Sequence, residues 1–144
     1  MSRENVEITR RAFERWQEGG GTLEAIPFEV YAEDVEWDLS AYPLVDLPSQ
    51  GKGRERLFET FAQYLAGWKN YQPETKEFID AGEDIIAVVH EKAGIADSDV
   101  MLERDVFQVW TLRDGLVVKW RVFETRTDAL EAVGLSEQDA HADS

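Results

Sequence analysis

An imidazole at His90, a guanidinium at Arg104 and an amide at Gln108 are the side chains of this chain best suited to move a proton or hold an oxygen without a cofactor. His90 closes the apolar run "DIIAVV" and is the only histidine outside the C-terminal tail. Imidazole titrates near neutral pH, which suits it to act as a base or an acid. In "MLERDVFQVW", strand alternation puts Arg104, Val106, Gln108 and Trp110 on one face, and Glu103, Asp105, Phe107 and Val109 on the other. A Gln108 amide facing a pocket could donate to a developing enolate oxygen, with Arg104 orienting the same atom, but an amide cannot transfer a proton. The opposite register would turn Asp105 inward instead, and spacing alone leaves both open.

Aromatic residues supply the walls such chemistry needs. Trp16, Trp37, Tyr42, Phe61, Tyr64, Trp68, Trp110, Trp120 and Phe123 are enough to fill a core and line a cavity. Of these, Trp16, Trp37, Tyr42, Phe61, Tyr64, Trp110 and Trp120 are the expected substrate contacts. The chain has no cysteine, no pair of neighbouring histidines and no carboxylate cluster with ligand spacing, so no metal and no cofactor is expected. Gly51-x-Gly53 has the look of an anion nest, but its acidic surroundings favour a plain turn leading into a helix.

Fifteen Lys and Arg against 30 Asp and Glu give a formal charge of −15, a field that repels nucleic acid and anionic membrane surfaces. Acidity can signal disorder, but 43% apolar residues and five tryptophans argue for a packed core. The charged start "MSRENVEITRR" has no apolar signal core, and no apolar run reaches membrane length. The expectation is a cytoplasmic protein with a single domain over residues 1–135 and a polar tail over 136–144.

The elements that must position the candidate residues follow from periodicity. Val6, Thr9, Phe13 and Trp16 recur at helical spacing until Gly19 to Gly21 stop the helix. "TLEAIPFEVYAED" reads as a second, short helix capped by Thr22. "VEWDL" alternates, with Val35, Trp37 and Leu39 on one face and Glu36 and Asp38 on the other, and "SAYPLVDLPSQGKG" reads as a loop. "RERLFETFAQYLAGWKN" carries a helical stripe of Leu57, Phe61, Leu65 and Trp68.

Residues 74–81, 84–92, 100–112 and 116–124 then read as four successive antiparallel strands. The last pair turns at Arg113-Asp114-Gly115, and "TDALEAVG" closes as a short helix capped by Thr127. This order predicts an α+β fold, a curved antiparallel sheet with helices across one face. Apolar groups on both faces of "VFQVWTLRDGLVVKWRVFE" predict a homodimer through the outer sheet face.

The phrases "ENVEITRRAFERWQEGG", "YAEDVEWD", "GKGRERLFETF", "EFIDAGEDIIAVV", "VWTLRDGLVVKWRVF" and "DALEAVGLSE" resemble the SnoaL-like branch of the NTF2-like, or ketosteroid-isomerase-like, superfamily. The resemblance covers residue 4 to about 137. It implies a cone-shaped roll, usually dimeric, with a deep apolar pocket between sheet and helices. It also implies either a cofactor-independent isomerase, cyclase, dehydratase or hydrolase acting on a hydrophobic carbonyl or epoxide compound, or a protein that binds an apolar small molecule without turnover.

By the same resemblance Asp38, just after the first strand, takes the place of a general base. In ketosteroid isomerase such an aspartate works inside an apolar site. The chain departs from the pattern elsewhere: "VVHEK" lacks the Arg-x-Asp pair of related epoxide hydrolases, and Val122 stands where cyclases often carry an aspartate. Glu124, two residues on, is the nearest carboxylate on that face.

Overall fold

The computed structural model describes residues 2–41 and 48–136. Helix α1 (Ser2–Glu18) is followed by two short 3-10 turns, strand β1 (Tyr31–Asp38), strand β2 (Gln50–Lys52) and helix α2 (Arg54–Ala66). Strands β3 (Trp68–Ala81), β4 (Asp84–Ile95), β5 (Met101–Arg113) and β6 (Leu116–Phe123) come next, and helix α3 (Arg126–Ala132) ends the fold. The six strands form one curved, unclosed sheet in the order β2-β1-β6-β5-β4-β3. The expected α+β roll is the fold found.

Strands β3 to β6 form the antiparallel meander that alternation requires. Asp114 and Gly115 turn the β5–β6 hairpin with φ of 52° and 81°. Two left-handed residues in a two-residue loop match the twist of the flanking strands, which is why Asp-Gly serves there. The sheet as a whole is mixed, because β1 lies parallel to β6. Register shifts between β3 and β4, at Lys69/Gln72 and Thr75/Glu77, accompany the curvature.

Alternation separates two cores. Ile85, Ala87 and Val89 of β4 face inward with Val106 and Trp110 of β5, and Phe13, Trp16 and Leu57 of α1 and α2 pack onto them. Ile86, Val88, Phe107 and Val109 face the other way, where Ala129 and Leu130 of α3 cover them. So α3 lies on the face opposite α1 and α2, rather than all helices sharing one face. The chain's own last helix thus covers part of the hairpin's second apolar face.

Other local expectations shift. The segment after Thr22 forms 3-10 turns at Leu23–Ala25 and Phe28–Val30 instead of a helix. Pro27 between them lacks the N–H that a continuous helix would use. The first strand begins at Tyr31, four residues earlier than its alternation suggested. The expected loop contains β2, and its residues 42–47 lie outside the described residues. Helix α2 stops at Ala66, so Trp68 opens β3 rather than extending the helical stripe. Thr125, not Thr127, caps α3: its hydroxyl accepts from the Asp128 backbone N–H.

Candidate functional site

Between the inner sheet face and the helices lies a cavity of about 80 Å³. Its wall is built from Phe13 and Trp16 of α1, Phe61 and Tyr64 of α2, Tyr31 of β1, and inward residues of β4, β5 and β6. Room of that size holds several waters or a compact organic group. Edge and tilted ring contacts tie the wall together, Tyr31 to Trp110 at 5.6 Å and Phe61 to Trp120 at 5.0 Å between centroids.

Two polar centres interrupt this apolar wall. At one end Glu91 of β4, 6% exposed, accepts from the Tyr64 hydroxyl at 2.9 and 3.1 Å and from the Tyr71 hydroxyl. Arg104, its cross-strand partner, adds an Nε contact at 3.4 Å to Glu91 and donates from Nη2 to the Tyr64 hydroxyl at 3.0 Å. Its guanidinium also lies 5.4 Å from the centroid of the Trp68 ring. A buried carboxylate is tolerable only with such a set of donors.

At the other end Gln108 Oε1 accepts from the indole N–H groups of Trp110, at 3.1 Å, and Trp120, at 3.0 Å. Indole nitrogens only donate, so they fix which end of the amide is oxygen and leave Gln108 Nε2 as a donor beside the cavity. Gln108 pairs with Ala87 and Arg104 with Glu91. The two centres are therefore four strand steps apart, roughly 13 Å along the sheet.

The register places Arg104 and Gln108 on the inner side of β5, and Glu103 and Asp105 on the outer side. Of the expected aromatic contacts, Trp16, Phe61, Tyr64, Trp110 and Trp120 line the cavity. Trp37 belongs to the inner core but stands off the cavity wall, leaning over Gly51 of β2. Gly51 is thus a strand residue under a ring, while Gly53, with φ of 104°, stands at the N-cap of α2 and makes the expected entry into the helix. Tyr42 lies outside the described residues.

Asp38 does not reach the cavity. Alternation in β1 sends Val35, Trp37 and Leu39 inward, and Asp38 with the outward set. Its carboxylate accepts from the Ser40 backbone N–H at 2.8 Å and from Gln50 Nε2 at 3.4 Å. Partial burial pushes its pKa up, but the Ser40 and Gln50 hydrogen bonds and the Lys119 charge outweigh this and hold it below the ordinary carboxylate value.

His90 also faces outward, on the opposite side of the sheet from Glu91. Its Nδ1 lies 2.7 Å from Asp105 and its Nε2 2.7 Å from Glu103, and these hydrogen bonds raise its pKa. The structure therefore brings Gln108 to the cavity wall, sets Arg104 behind Glu91 and Tyr64 rather than on the wall itself, and leaves Asp38 and His90 off it. Glu91, Tyr71 and Tyr31 were not among the sequence candidates. Glu91 shares the parity of Ile85, Ala87 and Val89, and that alternation was the signal that could have found it.

Among the described residues, no group of three His, Asp or Glu side chains could hold a metal ion. No helix among them is long and apolar enough to cross a membrane.

No family model and no curated protein matches the sequence. Solved structures do match. An NTF2-like protein of unknown function from Burkholderia pseudomallei superposes with a TM-score of 0.71 at 15% identity, over 91% of this chain and 98% of that one. A protein of Jannaschia sp. CCS1 that carries the name SnoaL-like polyketide cyclase gives 0.70 at 17%, over 94% of each chain. TerC, co-crystallised with polyporic acid, gives 0.68 at 18%, over 90% of this chain and 98% of that one. The chain has the fold of the NTF2-like, ketosteroid-isomerase-like superfamily. At such identities the likeness is one of fold, and a fold fixes where a site lies rather than its reaction.

Proposed function

We propose that this protein is a cofactor-independent acid–base enzyme, of the isomerase, cyclase, dehydratase or hydrolase kind, acting on a hydrophobic carbonyl or epoxide compound in the aromatic cavity. Glu91 carries the reading: a carboxylate buried in a largely aromatic and aliphatic wall, held by two phenols and a guanidinium. Well-packed apolar residues usually serve stability as well as a buried ion pair or better, so such a centre calls for another use.

In the proposed step Glu91 takes a proton from carbon at its end of the cavity. The electron pair left behind moves through the conjugated skeleton to the carbonyl oxygen. Glu91 then returns the proton at a second carbon or to a departing oxygen. Arg104 and Tyr64 hold the carboxylate in place and neutralise the charge that comes and goes. The co-crystallisation of one fold neighbour with polyporic acid supports an organic ligand for this chain as well.

The test is deuterium incorporation into isophorone, a hydrophobic cyclic enone, followed by NMR in D2O. The protein should accelerate exchange at the carbon remote from the carbonyl, and Glu91→Gln should lower that rate by about two to four decades. A second reading, binding without turnover, is favoured by the fact that three donors already engage the Glu91 oxygens. Isophorone binding with no exchange above buffer would establish that reading and reject catalysis on this substrate type. A homodimer through the outer sheet face belongs to the same proposal, and sedimentation at micromolar concentration tests it.

A further inference from the structure

The cavity wall carries one acidic side chain, Glu91, and among the described residues no Lys, Arg or His lines it. Arg104 does touch Glu91, but from behind, where it sits with Trp68, Ala93 and Leu102 around a smaller pocket beyond the wall. From inside the cavity the carboxylate is therefore nearer than the guanidinium that offsets it. The chain as a whole adds a formal charge of −15, a field that draws cations and repels anions.

Rings make up much of the remaining wall. Tyr71, Trp16, Phe13, Trp110 and Tyr31 form a continuous series along it, with successive centroids 5.8, 5.9, 5.1 and 5.6 Å apart. Successive ring planes are inclined by 46°, 65°, 37° and 51°. Rings tilted in this way curve around the space they line instead of stacking flat. Aromatic faces are electron-rich and attract a cation most strongly where water is excluded. The Tyr64 and Tyr71 hydroxyls donate to Glu91, which leaves those two rings richer still.

We propose that the cavity is an aromatic cage for a fully alkylated ammonium group, of the trimethylammonium kind. The inference goes beyond the reading given above, because it needs the cavity but not turnover and concerns the charge of the ligand. Room of about 80 Å³ suits so compact a group. The wall also selects among cations. Its two strong acceptors are engaged, Gln108 Oε1 by two indoles and Glu91 by two phenols and a guanidinium. A primary ammonium leaves water only for hydrogen-bond acceptors, and the wall serves it poorly. A quaternary ammonium donates no hydrogen bond and asks only for ring faces and negative potential.

The experiment compares three probes by tryptophan fluorescence and calorimetry: choline, its neutral isostere 3,3-dimethyl-1-butanol, and ethanolamine, which has N–H groups in place of the methyls. The wild-type protein should bind choline about tenfold or more tightly than either of the others. Phe13→Leu removes a ring but keeps an apolar side chain, and it should cut the choline-to-butanol ratio about three- to tenfold. Glu91→Gln removes the charge and keeps the rings, and it should lower the same ratio through choline alone. Melting curves establish that both variants are folded. Absence of choline binding, equal binding of choline and the butanol, or a ratio unmoved in both variants would overturn the cage. Choline preference without deuterium exchange on isophorone would reject the proton-transfer step and leave the cage standing, whereas exchange without choline preference would do the reverse.

Discussion

Trp37 of β1 lies over Gly51 of β2, its direct cross-strand partner, so closely that a Cβ on Gly51 would sit 2.6 Å from the ring atom Cε2. The small residue is therefore required by the tryptophan, which is 3% exposed in the inner core. Gly51→Ala should destabilise the fold by about 1–3 kcal/mol, because the ring has to shift within a packed core. Urea denaturation measures this. A companion Trp37→Leu change in the same chain should recover part of the loss, since it removes the obstructing ring.

Asp38 and Glu91 compete for the role of proton acceptor, and their positions separate them. Glu91 is in the cavity wall, whereas Asp38 is tied to Ser40 and Gln50 away from it. Side by side, Glu91→Gln should lose about two to four decades of isophorone exchange and Asp38→Asn should lose far less. If the Asp38 variant shows the larger loss, the base is on β1 and the cavity assignment of the chemistry is wrong. Melting curves of both variants guard against a folding defect.

His90 sits on the outer face between Asp105 and Glu103, with Glu74 beside it on β3 and Lys92 further along β4. The hydrogen bonds it donates to these two carboxylates raise its pKa above 6.5, while His90 lowers that of Glu103 below 4.5. A raised histidine pKa contributes stability that is fully present below 6.5 and is lost as pH rises through the folded value. The lowered Glu103 contributes stability present above 4.5 and lost as pH falls through its folded value. The melting temperature of wild type minus His90→Gln should therefore peak in weakly acidic solution and decline on both sides. A difference that is flat with pH would mean that the cluster has no linkage to folding. High salt should shrink the peak, because the carboxylates are exposed.

Thr125 and Thr127 were both available to cap α3, and Thr125 does so with its hydroxyl accepting from the Asp128 N–H at 3.1 Å. Thr125→Ala should cost about 1 kcal/mol, whereas Thr127→Ala should fall within about half a kcal/mol of wild type. Thermal unfolding of the two variants checks the order. The helix matters beyond its length because Ala129 and Leu130 are what this chain places over its own outer sheet face.

The local grammar of this protein is legible residue by residue. The two-residue period in "DIIAVVHEK" and "ERDVFQVWTLR" fixed which side chains travel together, and Asp-Gly fixed the hairpin that registers β5 against β6. It even separated Asp38 from Val35, Trp37 and Leu39, though the family likeness drew Asp38 toward the site. Which face became the cavity depends on how the strands and helices pack. Glu91 became a buried centre because β4 and β5 set it opposite Arg104, while α2 and β3 brought Tyr64 and Tyr71 to the same carboxylate. Likewise, Trp110 and Trp120 hold Gln108 only because two strands of the hairpin present their indoles to one amide oxygen. Alternation is a property of a single strand's backbone and can be read one residue after another. Convergence depends on sheet curvature and on helices packed from elsewhere in the chain, and no local pattern encodes those long-range contacts.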